Sequence, residues 1–405
     1  MYPNLYHVFL DLLGWDLPAL KLINSFGFFV ALAFVTAHAL LSREMKRITL
    51  QGHFKPSEVR VEVGHGPHPM DLGMQALMGF VLGWKVIYLL VNASTLFAGG
   101  GLPQAHLFST EGNVLWGMAG AFLLTAWRYY EVKKDQLPEP KTIIQSIMPH
   151  EWVGGITAAA AIGGIAGAKI FHLLEYPEEF VAFLERPSLS AFLGGLTIYG
   201  GLIVGGLSVY AYARHKGLHF LRLADATAPG LLLGYGIGRM GCHISGDGDW
   251  GIPNPNPMPD WLSWAPEWVW RYAYPNNVNA VYGPREAGYT GKLIDPNVHP
   301  WPSFEGYGTY LDPAVFPTPI YETTAAVLGF AFLWAMRKRW STPGKAFAAY
   351  LMFNGFERFW VEKIRVNTTF DWLGVTMTQA ELISVCTFLS GVALWAWATR
   401  QVNRG

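Results

Sequence analysis

Long apolar runs alternate with short polar connections along this chain, and the reach of each run limits what it can form. Nine runs approach or exceed the length at which a helix crosses a bilayer: Ile23–Leu41, Gly73–Val91, Val114–Trp127, Trp152–Leu174, Leu189–Tyr212, Leu223–Ile244, Thr318–Met336, Ala346–Val361 and Leu382–Ala398. A span needs roughly 20 residues to cross about 30 Å of hydrocarbon. The third run is short, and the eighth is interrupted by charge. Most are apolar around the whole helical circumference, whereas helices of a soluble core keep a polar face. The pattern predicts an all-α fold, a polytopic membrane helix bundle that forms one integral membrane domain over residues 1–405.

The polar connections orient that bundle. Basic residues collect after the first run (Arg43, Lys46, Arg47, Lys55, Arg60), the third (Arg128, Lys133, Lys134, Lys141), the fifth (Arg214, Lys216, Arg222) and the seventh (Arg337, Lys338, Arg339, Lys345). The connection 92–113 has no Lys or Arg, and the one after the fourth run has Arg186 beside Glu178, Glu179 and Glu185. Short basic loops stay cytoplasmic, which places the N-terminus in the periplasm and the C-terminus in the cytoplasm. The stretch 243–317 is then an external arm. Its Trp-rich sequence IPNPNPMPDWLSWAPEWVWRY suits a membrane–water interface better than a flexible linker. The opening MYPNLYHVFLDLLGWD lacks the basic start of a cleaved signal peptide, so the first run is expected to be retained.

Composition narrows the function. Charged residues make up 14% of the chain against about 25% in soluble domains, so each charge kept inside a run is informative. Zero net charge leaves no basic field for nucleic acid. The two cysteines, Cys242 and Cys386, offer neither a disulfide framework nor a metal cluster, and no cofactor is expected.

Charge near the centre of a bilayer costs a few kcal/mol or more, which marks it as a candidate site. With the orientation above, Arg239 lies in the outer part of the sixth run, with Asp247 and Asp249 at its mouth. Tyr321 and Glu322 lie at the outer end of the seventh run. Arg358 and Glu362 lie in the outer part of the eighth, with Arg365 at the surface. Tyr199 in the fifth run, and Lys169 and His172 in the fourth, fall on the same side. Snorkelling residues would scatter between both faces, and Lys85 in the second run reads as a snorkelling or locally paired lysine rather than a ligand. Guanidinium forks bind phosphate oxygens in pairs and stay charged when desolvated, so a phosphate headgroup fits Arg239 and Arg358. The competing reading is that these arginines only pair with Asp247, Glu322 or Glu362 to stabilise the bundle. The run GGLTIYGGLIVGG, with Gly200 and Gly201, allows helices or a headgroup to approach the backbone closely. GIGRMG lies inside an apolar run rather than after a strand, which excludes a dinucleotide loop.

Four segments in order carry a family resemblance. LADATAPGLLLGYGIGRMGCHISGDGDWG, GGLTIYGGLIVGG, FPTPIYE and NGFERFWVEKIR resemble the motifs of bacterial prolipoprotein diacylglyceryl transferases. AGAKIFHLLEY and MTQAELIS are weaker echoes. The resemblance runs over 152–398, makes 73–127 an inserted pair of spans and 243–317 an arm insertion, and implies a bacterial inner-membrane enzyme. Such an enzyme moves the diacylglyceryl group of phosphatidylglycerol onto the lipobox cysteine thiol of a prolipoprotein and releases glycerol phosphate. It implies Arg239, Arg358, Tyr199 and Asp247 as catalytic residues, and Gly200, Gly201, Cys242, Tyr321, Glu322 and Glu362 beside both arginines in substrate binding. Departures stand at Tyr199, where the family has His, at Cys242 for its Asn, at Asn354 and Phe26 for Tyr, and at Phe316 and Pro319. A tyrosine is a poorer base than histidine, so Tyr199 is expected to orient substrate, and the base is unassigned. A lipid or solute transporter, or a non-catalytic phospholipid-binding homologue, is the alternative. A transport pathway needs polar residues through the full depth, and here they crowd on one side.

Overall fold

A computed structural model describes residues 1–54, 56–97, 106, 109–185, 195, 197–279, 290–372 and 374–402. Lys55, Arg186, Gly194, the start of the fifth run and positions 280–289 of the arm lie outside the described residues. In chain order the principal elements are α1 (Leu5–Leu13), α2 (Ser25–Leu50), β1 (Ser57–Val63), α3 (Pro69–Val91), α4 (Val114–Lys134), β2 (Lys141–Ile147), α5 (Val153–Glu175), α6 (Pro177–Glu185), α7 (Ile198–His215), α8 (Phe220–Ser245), β3 (Thr290–Leu293), β4 (Thr309–Asp312), α9 (Thr318–Met336), α10 (Lys345–Glu362), β5 (Thr369–Trp372), β6 (Val375–Thr378) and α11 (Gln379–Val402). Among the described residues, five helices are long and apolar enough to cross a membrane: Ser25–Leu50, Pro69–Val91, Pro149–Glu175, Thr318–Met336 and Gln379–Gln401. The chain is a mostly helical, polytopic membrane protein. It is not wholly α, because three antiparallel two-stranded ladders, β1–β2, β3–β4 and β5–β6, join polar connecting segments. Pairing satisfies backbone groups there that no helix covers.

The chain forms two compact units. The first comprises Met1–Gly14, Ile23–Gln51 and Ala213–Gly405. Its axis is α8, which packs on α2, α9 and α10, while α10 packs on α11. The contacts are specific. Asp225, near the start of α8, accepts hydrogen bonds from the backbone N–H of Gly344 (2.6 Å) and Phe347 (2.8 Å). It thereby satisfies N-terminal donors of α10 and locks that helix to α8. At the other end of the contact, the Thr323 hydroxyl donates to the Gly236 carbonyl at 3.0 Å and fixes α9 against α8. The helix α8 ends at Gly246 in the left-handed region (φ 66°), where a glycine carries no Cβ penalty. The chain after it is stitched between two neighbours: Gly251 N–H donates to Phe316 O and Ile252 N–H to Ile364 O, both at 2.8 Å. A Cβ at Gly251 would lie 2.5 Å from Ile364 O, so only glycine fits this crossing. The arm has its own small core of Trp250, Tyr274, Leu311 and Val315.

The second unit comprises Trp15–Leu22 and Gly52–Tyr212. In it α3 and α4 form a close pair through glycines. A Cβ on Gly117 would lie 2.8 Å from the Phe80 ring. Lys85 is buried, and its ammonium donates to Ser109 O, Ser109 Oγ and Glu111 O at 2.6–2.9 Å. It is a locally paired lysine, not a snorkelling one. In the same unit α7 packs on α5 through small residues: a Cβ on Gly201 would lie 3.1 Å from Gly164 O.

Candidate functional site

Three arginines and three carboxylates of the first unit meet in one cluster. Glu322, on the first turns of α9, is fully buried and forms its hub. The Tyr235 hydroxyl, one turn before Arg239 on α8, donates to Glu322 Oε1 at 2.9 Å. Arg239 Nε donates to Glu322 Oε2 at 2.6 Å. Arg358 Nη1 approaches Oε1 at 3.3 Å, and Arg365 Nη1 approaches the same oxygen at 3.6 Å. Asp249 forms the second bridge, between Arg239 and Arg365. Glu362 pairs with Arg358 at 2.9 Å one turn along α10 and accepts from Asn367. Fixed carboxylates hold each guanidinium plane in place, and positive and negative charges balance within the cluster.

The sequence-derived candidates distribute as follows. Arg239, Arg358, Glu322 and Glu362 come together directly. Cys242 lies at the edge, with Sγ accepting from Arg239 Nη1 at 3.4 Å and lying 3.5 Å from Asp249 Oδ2. Asp247 accepts the Asp249 N–H at 3.3 Å within its own turn. It is Asp249, not Asp247, that touches the arginines. Tyr321 points away along the arm, its hydroxyl donating to Val269 O at 2.7 Å. Tyr199, Gly200 and Gly201 lie on α7 in the second unit, where the glycines pack against α5. Also in that unit, His172 Nε2 lies 2.8 Å from Glu179 Oε2, and the Thr197 hydroxyl donates to Glu175 at 3.1 Å.

The two aspartates are electrically unlike. Burial alone would push both carboxyls up. For Asp249 the Arg239 and Arg365 charges and hydrogen bonds outweigh burial and hold it well below the usual carboxylate range. Asp247 has no such fork and is raised, by burial first and by the charge of Asp249 next. Cys242, Asp247 and Asp249 bring ligand atoms within 4.8 Å of one another, a spacing open to a metal ion. Asp249 already spends its charge on two guanidinium groups, which makes this a weak donor set.

Sequence reasoning gave Asp249 and Arg365 a place on the outer side but no role, and it did not single out Tyr235 or Glu357. Tyr235 sits in the GYGIGRMG segment at helical spacing from Arg239, a signal that was available. Glu357, immediately before Arg358, is buried within the same charged neighbourhood.

Fold and site together define a polytopic helical membrane protein that buries an arginine–carboxylate cluster where α8, α9 and α10 meet. The chain belongs to the prolipoprotein diacylglyceryl transferase family, whose profile matches residues 115–397. It is similar to the phosphatidylglycerol–prolipoprotein diacylglyceryl transferase of Bifidobacterium adolescentis, 29% identical over 241 residues, 58% of this chain and 63% of that protein. The protein of the same name from Cutibacterium acnes is 29% identical over 216 residues (52% and 60%). That of Corynebacterium efficiens is 28% identical over 239 residues (58% and 65%). The chain thus spans about three fifths of the length of these relatives.

Proposed function

We propose that the protein transfers the diacylglyceryl group of phosphatidylglycerol to the lipobox cysteine thiol of a prolipoprotein, releasing glycerol phosphate. The observation that carries this reading is the Arg239–Arg358–Arg365 cluster around the buried Glu322, within the family-matched segment. The relatives' names supply the substrates, phosphatidylglycerol and a prolipoprotein. The reaction is a substitution at the glyceryl carbon that bears the phosphate. The acceptor attacks as thiolate, because the thiol is a weak nucleophile. Arg239 and Arg358 take phosphate oxygens in their forks, and the fixed charges stabilise the negative charge that develops on the leaving group in the transition state. Glu322 and Asp249 hold the guanidinium planes before substrate arrives, so little reorganisation is left for the transition state. Cys242 is a buried structural thiol rather than a nucleophile. The site opens toward the outer leaflet of a bacterial inner membrane, within nine spans, with the arm on the periplasmic surface.

The test is purified protein in detergent with phosphatidylglycerol and a lipobox peptide, read by mass spectrometry. Formation of the diacylglyceryl thioether is expected, and Arg239→Ala and Arg358→Ala are each expected to reduce it by about 10²-fold or more, the usual scale for removing a transition-state donor. Absence of product under conditions where a family enzyme forms it would sink the reading.

A further inference from the structure

Among the acids around the cluster, Glu357 stands apart. It is 7% exposed, and neither carboxyl oxygen has a hydrogen-bond partner or an ion pair among the described residues. It lies nevertheless within the field of the cluster's charges. It feels the charges of Arg239 on α8, Glu322 on α9, Arg358 on its own helix and Arg365 in the segment beyond, and interacts with Tyr235 on α8. On α11 the ionisable groups are Glu381, already paired with Lys363, and Cys386 and Arg400 further along. The cluster's positive charge is fully matched: three arginines bond to Glu322, Asp249 and Glu362. Glu357 is therefore a surplus acid. A buried carboxylate that makes no hydrogen bond or direct ion pair costs several kcal/mol, and taking a proton removes that cost. A neutral carboxyl is a hydrogen-bond donor that still lacks an acceptor, beside the guanidinium groups assigned above to a phosphate.

We propose that Glu357 donates a hydrogen bond to the phosphate of the donor lipid and passes its proton to the glycerol phosphate as that group leaves. This rests on the transferase reading. The acceptor thiol gives its proton to solvent, and the S–C bond forms as the C–O bond to phosphate breaks. The electron pair of that bond goes to the phosphate oxygen, the Glu357 proton joins it, and the carboxylate then regains a proton from solvent. The proton keeps the leaving group a monoanion as it departs from arginines that are also paired with carboxylates. Glu357 is thus a catalytic acid, complementing arginines that bind charge but cannot release a proton.

Glu357→Gln keeps the shape and an N–H donor but has no proton to give. In the assay with phosphatidylglycerol and lipobox peptide, kcat is expected to fall by about 10²-fold, the scale of general acid catalysis, with KM for the lipid within about threefold of wild type. Glu357→Ala should raise KM as well. Wild-type kcat should decline at alkaline pH as the acid ionises, and Glu357→Gln should lack that decline. Unchanged melting temperature of Glu357→Gln in detergent, beside these effects, separates chemistry from misfolding. Wild-type-like turnover in Glu357→Gln, or a loss with the wild-type pH profile intact, overturns the proposal while leaving the transferase reading standing. No product from the wild-type protein overturns both.

Discussion

Asp247 and Asp249 lie two residues apart, yet they do opposite work. Asp249 is held ionised between Arg239 and Arg365, with its value below that of an unfolded aspartate. Its stabilising contribution is complete at neutral pH and is lost as pH falls below the ordinary aspartate value, about 3.9, toward the folded one. Asp247 is raised by burial, so ionising it at neutral pH costs stability, and the cost is relieved as pH falls. Asp249→Asn should therefore lower the melting temperature in detergent at pH 7, and the gap from wild type should narrow below about pH 4. Asp247→Asn should be neutral or stabilising at pH 7. Equal melting temperatures for wild type and Asp249→Asn would contradict the assignment. This pair also marks how far the sequence could be read. Arg239, Glu322, Arg358 and Glu362 were legible because charge inside an apolar run is costly and stands out. The choice between two acids in GDGD was not, because the turn at Gly246 and the bridge at Gly251 decide which one faces inward. Arg365 read as a surface residue for the same reason: its depth depends on the chain folding back over Ile252.

At the scale of elements, the site is a meeting of helix ends whose positions are set elsewhere. The helix α10 carries Glu357, Arg358 and Glu362, and it is seated by Asp225 at its start and by α11 along its length. The α10–α11 contact has no spare room: a Cβ on Gly355 would lie 2.6 Å from Ser384 O and 2.7 Å from Phe388 N, both backbone atoms that cannot swing aside. Gly355→Ala must push the helices apart, an overpacking cost of about 1–3 kcal/mol, and should shift Arg358 with it. A lower melting temperature and reduced transfer are expected together. Gly154→Ala is the control, because a Cβ there meets nothing within 4 Å. A Gly355→Ala protein that melts and turns over like Gly154→Ala would show that α10 is not positioned through this contact. Helix positions themselves were legible from apolar run length. The ladders were not. SEVRVEV alternates as a strand should, but its partner KTIIQSI lies far along the chain, so nothing local marks that pairing.

For the whole molecule the decisive fact is what the helices do not bury. In the most apolar part of Ser25–Leu50 only 11% of residues are buried within the protein, and for the window in Gln379–Gln401 the share is 17%. Phe122, Ile162, Leu328 and Phe356 project outward. Water would penalise such a surface, whereas hydrocarbon accepts it, so the bilayer is the solvent against which these helices are amphipathically neutral. The orientation proposed from the basic loops is open to test. Lys134 ends α4 in a basic last turn, and Val298, 74% exposed, lies in the arm. With Lys134 in the cytoplasm and Val298 outside, a membrane-impermeant maleimide should label Val298→Cys in intact spheroplasts. It should reach Lys134→Cys only after permeabilisation. Cys386→Ser removes the exposed native thiol, and Cys242 is buried. Labelling of Lys134→Cys in intact spheroplasts, with Val298→Cys protected, would invert the bundle. The arginine cluster would then face the cytoplasmic leaflet, away from secreted acceptor cysteines, and the transferase reading would lose the access to substrate on which it depends.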